Sequence, residues 1–207
     1  SICASWLSIP YRKAAMMSRT ASLFTRIVSV CFISCILAFA GAALYACGPD
    51  HEQAIRDSLT QELDSIKNLD ESFVSDLEST SGVSDLEEFG IDPKEFFTSY
   101  LSGFDYTIDE VAVDDETASA TVTLTAKSYT EFNDAIQSNL DALVSDDSLY
   151  TLSEEEVYSR IGQTVMDTID GLSPVQTAPI TISYELIDTW TPTEESQAAI
   201  DEALMAS

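Results

Sequence analysis

Charge divides this chain in two, and the division constrains its folding more than any motif does. All 36 acidic residues follow Cys47, whereas four of the nine basic ones, Arg12, Lys13, Arg19 and Arg26, precede it. From Cys47 onward Arg56, Lys67, Lys94, Lys127 and Arg160 are five cations set against 36 carboxylates, a formal charge of −31. A short positive leader ahead of a uniformly negative body is the layout of a targeting segment and its passenger. Cys3, Cys31 and Cys35 also lie upstream, so the body has no pair of thiols to bridge. A body of about 160 residues without disulfides must be held by a hydrophobic core of its own, and that length suits one core.

The leader has internal order. Met16-Met17-Ser18-Arg19 reads as the start of translation, which would leave residues 1–15 outside the true chain. Arg19 and Arg26 come next, then an apolar run from Ile27 to Ala43, then Leu44-Tyr45-Ala46-Cys47. The run is shorter than the ~20 residues of a comfortable membrane-spanning helix. Small Ala46 and the polar break Gly48-Pro49-Asp50 predict a cut between Ala46 and Cys47, with lipid attached to Cys47. More than one acyl chain there would anchor the protein stably, at ~0.8 kcal/mol per buried CH₂. The competing reading is a retained transmembrane anchor in the same orientation. The expected organisation is a signal region over 1–46, a tether over 47–50 and a single domain over 51–207, outside the cytoplasm and held to the membrane.

So negative a body repels phosphates, which excludes a DNA or RNA partner. Its carboxylates read as a solvated face, or as an attraction for cationic peptides, proteins or metal ions. His51 is the one histidine, next to the tether, so triad chemistry and an ordinary zinc site are both excluded from the body, and His51 itself reads as an exposed first-turn residue. Asp114-Asp115-Glu116 and Asp146-Asp147 lack the spacing and glycine of a calcium loop. No phosphate-cradling glycine pattern or other cofactor motif occurs, and the acids are too many for any one pair to stand out as catalytic.

Periodicity predicts α+β architecture, with a small antiparallel sheet of about three strands packed against helices. Ile55, Leu59, Leu63, Ile66, Leu69, Phe73 and Leu77 recur at helical steps, so one long helix is expected from the box Asp50-His51-Glu52-Gln53 to Ser81-Gly82. A short turn with Leu86 and Phe89 ends at Gly90, and Asp92-Pro93-Lys94-Glu95 opens a helix that Gly103 closes. Phe104, Tyr106 and Ile108 then alternate on one parity and Val111 and Val113 on the other, which predicts a β-bulge near Asp109-Glu110. Asp114 to Thr117 turns the chain into a return strand, Ala118 to Ala126. A helix from Thr130 and another from Ser153-Glu154-Glu155-Glu156 to Gly171 follow. Pro174 and Pro179 frame a loop into a strand with Ile180, Ile182, Tyr184 and Leu186, and Thr191-Pro192-Thr193-Glu194 opens the last helix. Phe96, Phe97, Tyr100, Phe104 and Tyr106 gather as core, or as the lining of a pocket for a small apolar ligand.

The leader with Leu44-Tyr45-Ala46-Cys47 resembles a bacterial lipoprotein signal peptide. The body has a long first helix, Gly103-Phe104-Asp105-Tyr106 opening a hairpin, Ala118 to Lys127 returning and a later strand ending near Trp190. It resembles small lipoproteins with a cystatin-like or NTF2-like domain. That resemblance implies no catalytic residues and no cofactor. The function expected is a surface-anchored binding or interaction module, with an extracytoplasmic hydrolase using paired carboxylates as the alternative.

Overall fold

The fold is described from a computed structural model of the chain, for residues 22–24, 26–27, 51–79, 83–188 and 190–206. Its centre is a hairpin in which β1 (Asp105–Asp114) pairs antiparallel with β2 (Thr117–Lys127), turning at Asp115 with φ 51°. The register shifts between Ile108 and Glu110. This bulge keeps Tyr106 and Ile108 on the same side as Val111 and Val113, opposite Leu124, Val122, Ala120 and Ala118 respectively. β4 (Ile180–Leu186) pairs with the first half of β2, and β5 (Trp190–Pro192) with β4. The loop expected around Pro174 is instead a strand, β3 (Pro174–Gln176), on Thr125–Lys127. Thr177 bridges the two short pairings: its N–H donates to the Leu124 carbonyl at 2.9 Å, and its hydroxyl accepts from the Leu124 N–H at 3.1 Å. The sheet therefore has five antiparallel strands, order β1-β2-β4-β5 with β3 beside β2.

One face of this sheet, with Val111, Ala120, Val122, Leu124, Ile180, Ile182 and Tyr184, is buried. The other carries Ser119, Thr121, Thr123 and Thr125 half-exposed and Thr181 and Glu185 exposed. The long first helix is broken in two, α1 (His51–Lys67) and α2 (Glu71–Glu78). The break falls at Leu69, whose φ is 52°. Its N–H donates to Ile66 and that of Asp70 to Ser65, a helix stop that normally uses glycine, and here Leu69 packs its side chain on the core instead. Buried Ile55, Leu59, Leu63 and Ile66 form the inner stripe of α1. Polar bonds fasten α1 to β1: Arg56 donates to the Ile108 carbonyl beside the bulge at 3.1 Å, and the Tyr106 hydroxyl to Asp64 at 2.8 Å.

A 3-10 segment (Val83–Phe89) ends at Gly90, and α3 (Pro93–Tyr100) starts at the cap Asp92, which accepts from the Glu95 N–H. α4 (Tyr129–Val144) is capped by Ser128, and α5 (Glu154–Gly171) opens with the expected box of Ser153 and Glu156. A second 3-10 segment, Asp147–Thr151, lies between α4 and α5, and α6 (Glu194–Ala206) closes the chain. Tyr100 meets Phe132 ring to ring at 5.9 Å, which joins α3 to α4. Phe24 and Ile27, in the leader, belong to the same buried cluster as these helices.

Among the described residues Lys127 is the one buried lysine, at 5% exposure. Its ammonium donates to the carbonyls of Ser99 and Ile169, both at 2.8 Å, in the last turns of α3 and α5. Each of these carbonyls also accepts a backbone N–H, from Ser102 at 3.2 Å and from Leu172 at 3.1 Å, and lies at the negative end of its helix dipole, so a cation there adds a second donor to both helix ends at once. Burial holds the ammonium's pKa below the ordinary lysine value, while the charge of Asp170 pulls the other way. Replacing Lys127→Met keeps the stem and removes both bonds; the expected loss is about 2–4 kcal/mol in urea unfolding. An unchanged midpoint would show that the two helix ends do not need the ammonium.

Candidate functional site

The proposed cleavage and attachment residues, Ala46 and Cys47, the tether 48–50 and the rest of residues 28–50 lie outside the described residues, as do residues 1–21. Of the five aromatics that read as core or pocket lining, Phe96, Phe97, Tyr100 and Phe104 are buried in the core, at 9% exposure or less. Phe96 and Phe97 meet edge to face at 5.5 Å. Tyr106 is half-buried under α1, and burial together with Asp64 pushes its hydroxyl up to about 12. None of the five lines either concavity described below.

His51 differs from the exposed residue expected. Its ring stands edge-on to Trp190 of β5, 5.6 Å between centroids, and its Nδ1 accepts from the indole N–H at 3.3 Å. This contact fixes the start of α1 over the last strand, only four positions after Cys47. The signal for it is Trp190 near the end of a strand pattern, since a buried indole seeks a polar acceptor.

The acids sort by local role. Asp92, Asp146 and Ser153 with Glu156 cap helical segments, and the backbone N–H of Ser148 and of Ser153 hold the Asp146 and Glu156 carboxyls below the usual range. Glu62 is different. It sits on the apolar stripe of α1, three residues after Leu59 and four before Ile66, and its Oε1 is sealed from water with no hydrogen-bond partner. Burial pushes its carboxyl up to about 8, and the Ser58 hydroxyl pulls it partly back. Its neighbour is Tyr184, whose hydroxyl is raised first by burial and then by the charge of Glu62. No second carboxylate contributes to the shift of Glu62. A general acid paired with a base across a cleft needs two such groups. Helical spacing flags Glu62 in the sequence, because position 62 falls among the apolar positions of its helix.

Two concavities open on the described surface. The larger, about 680 Å³, is lined by Lys67, Lys94, Ser99, Leu101, Met166 and Asp170, among others. Ser99 donates to Asp170 on its wall, and Lys67 pairs with Asp105 at 2.8 Å beside it. That pairing pulls the Lys67 ammonium up and the Asp105 carboxyl down. The smaller, about 450 Å³, lies between α4 and α5 and includes Asn139, Arg160 and Asp167. Among the described residues no group of three or more His, Cys, Asp or Glu is placed to hold a metal ion.

The placement of the cations is the electrostatic feature of the domain. Arg56 binds a sheet carbonyl and Lys127 two helix ends, while Lys67, Lys94 and Arg160 are exposed, few cations against 36 acids. The surface is consequently acidic almost throughout, a field that draws cations and repels anions.

No protein-family model matches the chain, and no curated protein does. Among solved structures, a crystal structure of a candidate lipoprotein (ycdA) from Bacillus subtilis aligns over 81% of this chain and 54% of its own, at 14% identity and a TM-score of 0.41. The chain thus spans about half the length of that protein. A likeness this distant carries neither fold nor function across.

The Glu62 carboxyl stands higher in the folded protein than its ordinary 4.5. Its protonated form therefore stabilises the fold fully below about pH 4.5, and the contribution is lost as pH rises towards about 8. Glu62→Gln, a neutral isostere, is expected to melt increasingly above wild type across that interval, the gap levelling off beyond it. A gap that stays constant from pH 4 to 9 would contradict the burial of a titrating acid.

Proposed function

We propose that the chain is a bacterial surface lipoprotein whose acidic domain binds a cationic protein or peptide. The observation that carries the reading is the junction of the apolar run with Leu44-Tyr45-Ala46-Cys47, followed within four residues by a helix that begins at His51. Cut after Ala46 and acylated on Cys47, the chain would hold its domain close to the outer face of its membrane. The helix laid over an antiparallel sheet with a bulged first strand is in keeping with the cystatin-like or NTF2-like resemblance. The excess of carboxylates over the body's five cations, of which Lys127 is buried and Arg56 is tied to a sheet carbonyl, supports a cationic partner.

Growth with an alkyne-bearing palmitate analogue tests the anchoring. Wild type is expected to take the label and to move to the membrane fraction, and Cys47→Ala to take none. An unlabelled wild type, or equal labelling of Cys47→Ala, would contradict the lipoprotein reading.

A further inference from the structure

The leader segment makes a specific contact with the domain. Phe24 lies 5.2 Å from Phe89 at an interplanar angle of 58°, and 6.4 Å from Phe96 at 28°. Phe89 in turn meets Tyr158 edge-on at 5.3 Å. Phe24 and Ile27 are buried, at 0% and 3% exposure, while Arg26 between them is exposed. Positions i and i+3 share one face of a helix, so these two side chains enter together and the guanidinium stays outside.

The receiving groove is formed by the 3-10 segment Val83–Phe89, by α3 and by α5. Its floor is fixed by Gly162 in α5, where a Cβ would stand 2.0 Å from the Phe89 carbonyl oxygen. Only glycine lets the 3-10 segment rest directly on the α5 backbone there. The rim is acidic: Asp85, Glu87 and Glu88 are exposed on the segment, and Glu154 is exposed one helical turn before Tyr158. An apolar floor inside a carboxylate rim matches an amphipathic helix with apolar anchors and basic flanks.

Export separates this segment from its groove. If the leader is cut, residues 22–27 leave with it; if it is retained, they lie on the opposite side of the bilayer from Phe89. Resting on the export reading above, we infer that the groove between the 3-10 segment, α3 and α5 is a docking site for a short cationic amphipathic helix of a partner protein. The partner presents large apolar side chains at i and i+3, and residues 22–24 and 26–27 are the chain's own stand-in for it.

The test uses a fluorescent peptide of residues 19–29 and the full chain, produced in a lipoprotein-processing bacterium and reconstituted in phosphatidylcholine vesicles. Anisotropy is expected to show saturable binding that weakens at least tenfold when the peptide carries Phe24→Ala. Charge reversal of the exposed rim, Glu87→Lys with Glu88→Lys, leaves the core intact and is expected to weaken binding at least fivefold at low salt. Equal binding of both peptides, or no effect of the rim variant, overturns the inference. So does a protein dimer that blocks the peptide, or full competition by lysophosphatidylcholine, since a second copy or an acyl chain would then be the occupant. Mass spectrometry of the N-terminus and cell fractionation report on export separately. Should the chain prove uncut and cytosolic, the lipoprotein reading falls, and Phe24→Ala with Ile27→Ala in the full chain is then expected to raise peptide binding at least tenfold; no rise overturns the docking site as well.

Discussion

Three parts of the domain end on the ammonium of Lys127. It closes β2 and reaches the last carbonyls of α3 and α5, each 2.8 Å away. The carbonyls at a helix C-terminus carry the negative end of its dipole, and a hydrogen bond to a charged donor there contributes about 1.5–3 kcal/mol. One lysine supplies donors to two helices and joins the sheet to the layer packed at its end. Tyr100 belongs to the same junction, with its hydroxyl 3.4 Å from the Lys127 carbonyl and its ring on Phe132.

The same economy of positive charge shapes the rest. A bulge at Ile108/Glu110 keeps two halves of β1 facing inward, and Arg56 crosses from α1 to bind the carbonyl beside it. Lys67 ties the far end of α1 to the start of β1 through Asp105. On a surface this pairing is worth little. The outcome is a domain whose inner seams are fastened by positive groups and whose outer face carries mainly carboxylates. Such a face draws cations and repels anions.

Much of this was legible where the signal is local. The caps at Asp92 and at Ser153 with Glu156 depend on neighbours within four residues, and both are present. The parity change between Ile108 and Val111 gave the bulge for the same reason. What could not be read depends on distant groups. Leu69 stops α1 in a conformation that a non-glycine residue rarely takes, and its apolar place on the stripe, which marks the core contact, gives no sign of the break. Pro174 reads as a loop residue, yet it starts β3 because β2 extends past β4 and offers an edge. Lys127 ends a strand of alternating small residues and gives no hint that two helices will finish beside it. Of the site, helical spacing marks Glu62, whereas the seat of Phe24 on Phe89 joins segments that the charge pattern assigns to separate parts of the chain.

The central claim is that the Lys127 ammonium is held inside the domain on the ends of α3 and α5, and side-chain NMR of lysine ¹⁵Nζ tests it most directly. At neutral pH the protons on Lys127 Nζ should give a resolved signal, protected from exchange with water and insensitive to added salt, while those of exposed Lys94 exchange too fast to be seen. Equal exchange at the two lysines would contradict the account, because it would place the Lys127 ammonium in solvent and leave the ends of α3 and α5 without the cation that joins them.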